Sequence, residues 1–197
     1  NATNNATDSK SVGIISDKGR AINTGNITMA GGDSAGMLGQ NGATLTNSAS
    51  VTMSGEKSAG IYTENSTSSN EGTVTVTGKE SAGMFAKNFS ADNYTITNKG
   101  TINLNTVSGT PEKSVGMYAE IATAATGTTT LKNENTITVD QGNSVGMYIL
   151  NNTADKSKAV VKNDTAGKIE TKKASSVGIL ANKGTVTNLN ILNILGS

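Results

Sequence analysis

The stretch Ser81-Ala82-Gly83-Met84-Phe85 is one of seven copies of a five-residue motif in this chain of 197 residues. Each copy reads Ser, then Ala or Val, then Gly, then Met or Ile, and ends on a bulky apolar residue. The serines that open the copies are Ser11, Ser34, Ser58, Ser81, Ser114, Ser144 and Ser176. Successive serines are 23, 24, 23, 33, 30 and 32 residues apart. A recurring period of this length indicates a repeat architecture in which each repeat is one supersecondary unit.

Two further segments recur between the motifs. One is a short Thr/Ile/Val/Lys-rich stretch that closes on an asparagine, and the marker asparagines are Asn23, Asn47, Asn70, Asn98, Asn133, Asn163 and Asn188. The other is a stretch that alternates apolar and polar residues, such as Thr73-Val74-Thr75-Val76. Three strands of about 5 residues with three turns add up to about 23 residues, which is one coil of a β-solenoid.

Alternation along each strand assigns side chains to the core or to solvent. One inward ladder is predicted to contain Ile27, Val51, Val74, Ile102, Ile137 and Ile169, and a second one Met29, Met53, Val76, Leu104 and Val139. In the motif strand, alternation places the Ala/Val and Met/Ile positions on the inner face and Ser and Gly on the other. The motif glycine is expected either at a turn with positive φ or where the next coil approaches closely. The marker asparagines are expected to stack and to bond to one another along the axis.

The fold class that follows is all-β: a single-stranded parallel β-helix of about 23 residues per coil, with three strands per coil. Seven to eight coils fill residues 1–197 as one solenoid segment, and the apolar run Leu189–Leu195 is expected to form a partial eighth coil. A sandwich of antiparallel strands is the alternative, but it offers no reason for the period. The chain begins at Asn1 without an initiator methionine or an export signal, so we expect it to be a segment of a longer protein.

Extra residues interrupt the period at four places, and these loop insertions are predicted at about 86–93, 105–112, 119–127 and 149–158. The second contains the only proline, Pro111, and lies at a different corner of the coil. The other three occupy one corner of three adjacent coils and are therefore expected to cluster. Insertions in repeat proteins often collect on the binding face, although they are equally compatible with tolerated polar loops.

The last position of the motif is aromatic in four consecutive coils, at Tyr62, Phe85, Tyr118 and Tyr148. Because this position follows an inward residue, the four rings are expected to stack on the outer surface. With Phe89 and Tyr94 they form the candidate binding residues of the chain. The alternative is structural: the loops fold over the rings, or the strand turns a corner there and buries them.

The composition excludes several kinds of chemistry. The chain has no Cys and no His, so it has no disulfide, no Cys or His metal site, and no catalytic Cys or His. Sixteen basic and 15 acidic residues nearly cancel, and Arg20 is the only arginine, which argues against a nucleic-acid surface. The acidic residues Asp33, Glu56 and Glu80 alternate with lysines at one corner, which indicates an edge of interspersed charge rather than a metal site. We therefore expect no metal and no cofactor.

The repeated Ser-Ala/Val-Gly-Met/Ile-Tyr copies, together with the Thr-x-Thr and Asn-x-Gly-Thr-Ile segments, resemble the passenger domains of type V autotransporter adhesins, and in particular the fusobacterial outer-membrane family. The resemblance covers about residues 11 to 188. It implies a right-handed coil, display on the bacterial cell surface, and a C-terminal translocator barrel in the parent chain outside this fragment. The motif is also similar to repeats in the heads of trimeric adhesins, but those repeats are much shorter.

The sequence therefore favours a non-enzymatic adhesin or stalk segment. Its partners would be host or bacterial surface proteins or glycans, it would bind no nucleic acid, and we expect a monomer. Two alternatives stay open: a carbohydrate-active β-helix enzyme of the lyase or glycosidase kind, and the head of a trimeric adhesin. An enzyme would need carboxylates that converge in a groove, and none are evident in the sequence.

Overall fold

The computed structural model describes residues 2–4, 9–106 and 113–195 of the chain. They form a parallel β-helix in which three sheets run the length of a rod and each coil contributes one strand to each sheet. Apart from one short 3₁₀ turn at Lys156–Lys158, the elements of the described residues are strands. Among the same residues, no helix has the length and apolarity that crossing a bilayer requires.

The strands are numbered here in chain order. The sheet built from the motif, called the motif sheet, contains β2 (Val12–Asp17), β5 (Ala35–Gln40), β8 (Ala59–Glu64), β11 (Ala82–Asn88), β14 (Val115–Ile121), β17 (Val145–Asn151) and β20 (Val177–Asn182). The asparagine sheet contains β3 (Arg20–Asn23), β6 (Thr44–Asn47), β9 (Thr67–Asn70), β12 (Tyr94–Asn98), β15 (Thr129–Asn133), β18 (Ala159–Asn163) and β21 (Thr185–Asn188). The third sheet contains β1 (Ala2–Asn4), β4 (Ile27–Met29), β7 (Ser50–Met53), β10 (Thr73–Val76), β13 (Thr101–Asn105), β16 (Thr136–Asp140), β19 (Lys168–Thr171) and β22 (Leu192–Ile194).

Every described strand pairing is parallel and joins equivalent residues of successive coils, which confirms the predicted solenoid and excludes the antiparallel sandwich. In the third sheet, for example, Val74 pairs with Val51 on one side and with Ile102 on the other. The last strand, β22, pairs with β19, so the apolar C-terminal run does form a partial further coil. The hand of the coil stays a prediction from the resemblance.

The core is thin and is made of the predicted ladders. Ile27 and its stacked counterparts in the next five coils are at most 2 % exposed, and the ladder that begins at Met29 is buried as well. The marker asparagines also stack as predicted: each Nδ2 donates to the Oδ1 of the asparagine in the next coil, over 2.7–2.8 Å, from Asn23 to Asn188. The asparagine ladder closes one corner of the rod with hydrogen bonds that run along its axis.

The predicted faces of the motif strand are wrong at two positions, the Ala/Val position and the glycine. Met37 and its equivalents point into the core, but Ala35 faces outward, together with Leu38. The alternation breaks at Gly36, because this glycine and Met37 both lie on the core side. A Cβ at Gly36 would lie 2.6 Å from the carbonyl oxygen of Gly60 and 2.6 Å from Val51 Cγ1, so only glycine fits. The close approach of the next coil therefore explains the motif glycine, which has no positive φ.

The extra residues of three coils lie after β11, β14 and β17, at the corner between the motif sheet and the asparagine sheet. Their first residues extend those strands, and the loops themselves occupy 89–93, 122–128 and 152–158. In the insertion at 105–112, the structure describes only residues 105 and 106; residues 107–112, with Pro111, lie outside the described residues.

Candidate binding surface

The outer face of the motif sheet begins at a corner with an unusual backbone. In all seven coils, the residue before the motif serine has a positive φ between 50° and 64°, although none of them is glycine; these residues are Lys10, Asp33, Lys57, Glu80, Lys113, Asn143 and Ser175. A left-handed residue with a side chain costs of order 1 kcal/mol, so the surrounding structure must hold each one in place. This column of side chains is called the corner flank.

The motif serines stabilise this corner. The backbone N–H of each motif serine except the last, Ser176, donates to the Oγ of the serine in the next coil, for example from Ser34 to Ser58 over 3.1 Å and from Ser58 to Ser81 over 3.0 Å. The hydroxyl in turn donates to a carbonyl in the turn before it, as Ser81 Oγ does to Lys79 over 2.8 Å. The serine is therefore required as both donor and acceptor, a role that the sequence repeat alone did not reveal.

The four motif aromatics form a continuous ridge on this face, as the sequence predicts. Ring centroids are 5.0 Å apart for Tyr62 and Phe85, 4.8 Å for Phe85 and Tyr118, and 5.1 Å for Tyr118 and Tyr148. The interplanar angles of 29°, 17° and 13° show that the rings stack on one another. The rings are half-buried, and none of the residues that line the groove beside them belongs to the three loops. Their faces are covered by neighbouring rings, so the ring edges are what the ridge presents outward.

A groove of about 640 Å³ runs between the ridge and the corner flank. Its floor is the Ala/Val position of the motif, which is alanine at Ala35, Ala59 and Ala82 and valine at Val115. The sequence interpretation had assigned these residues to the core, and so it missed the groove. The signal was present in the sequence, because an Ala or Val recurs three positions before every bulky residue of the motif.

The far side of the ridge carries a second charged column, called the loop flank, which contains Asp17, Gln40, Glu64, Lys87 and Glu120. Glu64 accepts a hydrogen bond from the Tyr62 hydroxyl over 2.5 Å and another from Gln40 Nε2 over 3.2 Å. The Lys87 ammonium lies 5.6 Å from the centroid of the Phe85 ring. The apolar ridge and groove are therefore bordered on both sides by charged side chains.

Burial raises the pKa of two of the ridge phenols, Tyr62 and Tyr118. It raises the pKa of Tyr118 to about 12, with smaller contributions from the Glu120 carboxylate and from Tyr148. Burial also raises the pKa of Tyr62, and the hydrogen bond to Glu64 raises it further. Both phenols are therefore hydrogen-bond donors at neutral pH and carry no charge.

The structure does not bring the two remaining candidates into the ridge. Phe89 lies at the start of the loop after β11 and is 49 % exposed, which leaves it available to a partner. Tyr94 is only 8 % exposed, because it opens β12 on the core side. Its hydroxyl lies 3.0 Å from Ser90 Oγ and 3.3 Å from Asp92 Oδ2, so the ring anchors its own loop and offers little surface for binding.

The same-corner loops contact one another. The backbone N–H groups of Thr126 and Gly127 both donate to the carbonyl of Ser90 in the loop below, and Thr128 N–H donates to Asn93 Oδ1 over 2.7 Å. In the third loop, Asp155 caps the 3₁₀ turn by accepting from Ser157, and these hydrogen bonds lower its pKa. The first two loops are therefore joined by hydrogen bonds, and the third follows at the same corner one coil further; together the three are called the loop protrusion.

Away from this face, several acidic residues are paired with lysines. Lys132 and Lys162 both contact Asp164, whose pKa is lowered to about 2 by a backbone hydrogen bond from Thr165 and then by the two lysines. Glu170 is paired with Lys168, which lowers the pKa of the carboxyl. In the described parts of the chain, no group of three or more acidic residues is arranged to hold a metal ion.

Comparison with known proteins identifies one related family. A family model described as the BigA third pectate lyase-like domain matches residues 1–122 and, in a second overlapping match, residues 62–155. Two matches displaced along the chain agree with a rod of similar coils, because the same set of coils fits at more than one position. No curated protein and no solved structure matches the chain.

Proposed function

The chain belongs to the BigA third pectate lyase-like domain family, and from that premise we propose that it is a non-enzymatic segment of a bacterial cell-surface protein, of the autotransporter adhesin or stalk kind. Its contact surfaces are the ridge and groove of the motif sheet and the protrusion formed by the three loops. The partner class is a surface protein or glycan of a host or bacterial cell. A translocator barrel in the parent chain would place the rod outside the cell.

The observation that carries this proposal is the apolar outer face of the motif sheet. Outward side chains on this face include the four stacked rings and Ile15, which is 61 % exposed, whereas the equivalent positions of the third sheet are mostly Thr, Ser and Asn. A contiguous apolar patch bordered by charged residues is typical of an interaction site. Because the stacked rings present edges rather than faces, the ridge suits a protein partner better than a sugar ring, which would pack against an aromatic face.

The second candidate function is that of a carbohydrate-active enzyme, which the family description favours because it is pectate lyase-like. The carboxylates that line the groove are Asp33 and Glu80. They lie two coils apart, about 9.6 Å, with Lys57 between them. This spacing lies at the upper end of the range for an inverting pair, and the lysine between them makes a site for water less suitable.

The two functions are separated by one set of variants. We expect the chain to bind to cells or to surface-protein and glycan arrays without producing new sugar ends from polygalacturonate. Replacement of Asp33 and Glu80 by alanine leaves binding within about twofold, whereas Phe85→Ser with Tyr118→Ser reduces it at least tenfold, as expected for hot-spot aromatics. Cleavage of the polymer that disappears with the two carboxylates would refute the proposal.

The loops are tested separately. Residues 89–93, 122–128 and 152–158 can each be replaced by the short turn that connects β5 to β6, where Asn41 and Gly42 have positive φ. Loss of attachment with an unchanged melting curve would assign recognition to the loop protrusion. Unchanged attachment would make this part of the rod a spacer on the loop side.

A further inference from the structure

The sign of the charge on one flank of the motif sheet is correlated with the sign on the other flank. Within one coil, the corner flank and the loop flank carry opposite charges: the pairs are Lys10 with Asp17, Lys57 with Glu64, Glu80 with Lys87, and Lys113 with Glu120. In the remaining charged coil, Asp33 faces Gln40 across the sheet. From one coil to the next, the sign on the corner flank alternates from Lys10 to Lys113, and the sign on the loop flank alternates from Glu64 to Glu120; Gln40 is neutral between Asp17 and Glu64.

Interactions within one chain do not account for this relation. Alternation along a single flank keeps like charges from lying about 4.8 Å apart in neighbouring coils. It does not determine which sign the other flank carries in the same coil. The two members of a pair are seven residues apart along an extended strand, about 20 Å, which exceeds the Debye length of about 8 Å at physiological salt. Among the described residues, none of these charged side chains forms an ion pair within 4.0 Å.

Consider a second copy of the chain related to the first by a two-fold axis that runs parallel to the rod just above the motif sheet. In this arrangement the opposite charges of the two flanks come into direct contact between the copies. Such an axis exchanges left and right but leaves every coil at its own level. The corner flank of one copy then faces the loop flank of the other, so that Lys113 meets Glu120 and Glu80 meets Lys87, each pair occurring twice. The aromatic ridge lies on one side of the axis and the alanine floor on the other, so each ridge enters the groove of the other copy.

We propose that the partner of the ridge and groove is a second copy of this chain, bound side by side and parallel, with its coils in register. The inference rests on the proposed function, in which this face binds a protein, and it names that protein. It replaces the monomer that the sequence led us to expect. A face that is complementary to itself under a two-fold axis is the usual form of a homodimer interface.

The available area is sufficient for a specific dimer. Seven coils at about 4.8 Å and a face about 20 Å wide give about 1,300 Å² in total for the two copies, above the roughly 1,000 Å² that a specific interface needs. Aromatic anchors in the middle and charged pairs at the rim correspond to the usual distribution of residues in such interfaces.

The first test is sedimentation equilibrium of the chain at low and high salt. We expect a reversible dimer that weakens as salt is added. Lys113→Glu places like charges at two symmetry-related contacts and should raise the dissociation constant about 10- to 30-fold, as should Glu120→Lys. The double variant exchanges the two charges and should return to within about threefold of the original chain. Lys99→Glu, on an exposed turn away from this face, is the matched control.

The replacement residues are compatible with the fold, because Glu80 already occupies the corner position and Lys87 the loop-flank position one coil below. Equal melting temperatures for the variants will confirm this. A monomer at all concentrations, or a double variant no better than the single ones, would overturn the proposal.

The second test distinguishes a parallel from an antiparallel dimer. Since the chain has no cysteine, Lys113→Cys and Glu120→Cys introduce unique thiols. Mild oxidation of a mixture of the two should give a disulfide-linked heterodimer, while each variant alone should give little product. The two positions are too far apart within one chain to bridge. Homodimers from either variant alone would refute the parallel arrangement.

Different results would refute the adhesin function and the self-association. If Phe85→Ser with Tyr118→Ser abolishes binding to cells while the original chain stays monomeric, the binding function stands and self-association is wrong. If the chain dimerises as described but shows no attachment to cells or arrays, self-association stands and the adhesin function is wrong.

Discussion

Replacement of Asn98 by alanine tests the asparagine ladder at its centre. Asn98 is fully buried, accepts from Asn70 Nδ2 over 2.8 Å and donates to Asn133 Oδ1 over 2.8 Å. Alanine removes these two hydrogen bonds of the ladder, at about 1 kcal/mol each, together with the longer one from Asn98 Nδ2 to the carbonyl of Thr136. It also leaves the buried Oδ1 of Asn133 without its donor, at a cost of about 1–3 kcal/mol. We expect the free energy of unfolding to fall by about 3 to 5 kcal/mol.

Asn98→Asp has the same shape but reverses one hydrogen bond. An ionised aspartate still accepts from Asn70, but at the other end it places two oxygens at the 2.8 Å that now separate Asn98 Nδ2 from Asn133 Oδ1. Burial and this repulsion raise the pKa of the aspartate in the folded chain above its unfolded value of about 3.9. A raised folded-state pKa means that stability is retained below the unfolded pKa and is lost as pH rises through the folded one. The aspartate variant should therefore approach the original chain near pH 3 and be at least as unstable as the alanine variant at pH 7.

Urea unfolding followed by far-UV circular dichroism measures both effects, and hydrogen exchange shows whether the loss is confined to neighbouring coils, as expected for a repeat rod. The control is Asn103→Ala, an asparagine on the outer side of β13. If Asn98→Ala differs from this control by less than about 0.5 kcal/mol, the ladder does not stabilise the fold as described.

Three further predictions concern the core, the ion pairs and the ridge. Gly83→Ala should destabilise the chain by about 1–3 kcal/mol, because the new methyl group would lie 2.6 Å from a stacked carbonyl oxygen, whereas Gly142→Ala, with its nearest atom at 3.9 Å, should change the melting temperature little. Because the pKa of Asp164 is lowered to about 2, its stabilising effect is present above its ordinary pKa of 3.8 and lost as pH falls towards 2; Asp164→Asn should therefore make urea unfolding less sensitive to acid. Ultraviolet titration should show that the Tyr118 phenol ionises near pH 12 in the folded chain, and Tyr118→Phe should remove that transition; ionisation near pH 10 would mean that the ring is not buried in the stack.

Much of the fold could be predicted because the repeated motif shows which residues of successive coils are equivalent. Once equivalent residues are aligned by the motif, parallel stacking follows, and with it the inward ladders and the asparagine ladder. What could not be predicted was the break of alternation at Gly36. Alternation is a local rule, whereas the space at Gly36 is limited by the carbonyl of Gly60 in the next coil and by Val51, contacts that a linear pattern does not contain.

The same error limited the prediction of the site. The stacked ridge was predicted, because the position of Phe85 relative to the inward Met84 was correct. The groove was missed, because Ala82 had been assigned to the core. Tyr94 was included among the binding candidates on residue type alone, although the marker Asn98 four residues later places it in a strand of the asparagine sheet, on the same face as Ile96.

The alternating charges on the motif sheet make an even number of coils differ in its effect from an odd number when the rod changes length. Whole coils can be gained or lost by duplication of a gene segment without disturbing the hydrogen bonds between neighbours, since each coil contacts only the two beside it. Gain or loss of a single coil, however, brings residues of the same sign together on both edges, as would happen if Lys57 and Lys113 became adjacent. Such a rod therefore keeps its charge pattern when it gains or loses two coils at a time. Related proteins of different length should differ by even numbers of coils wherever this face is charged.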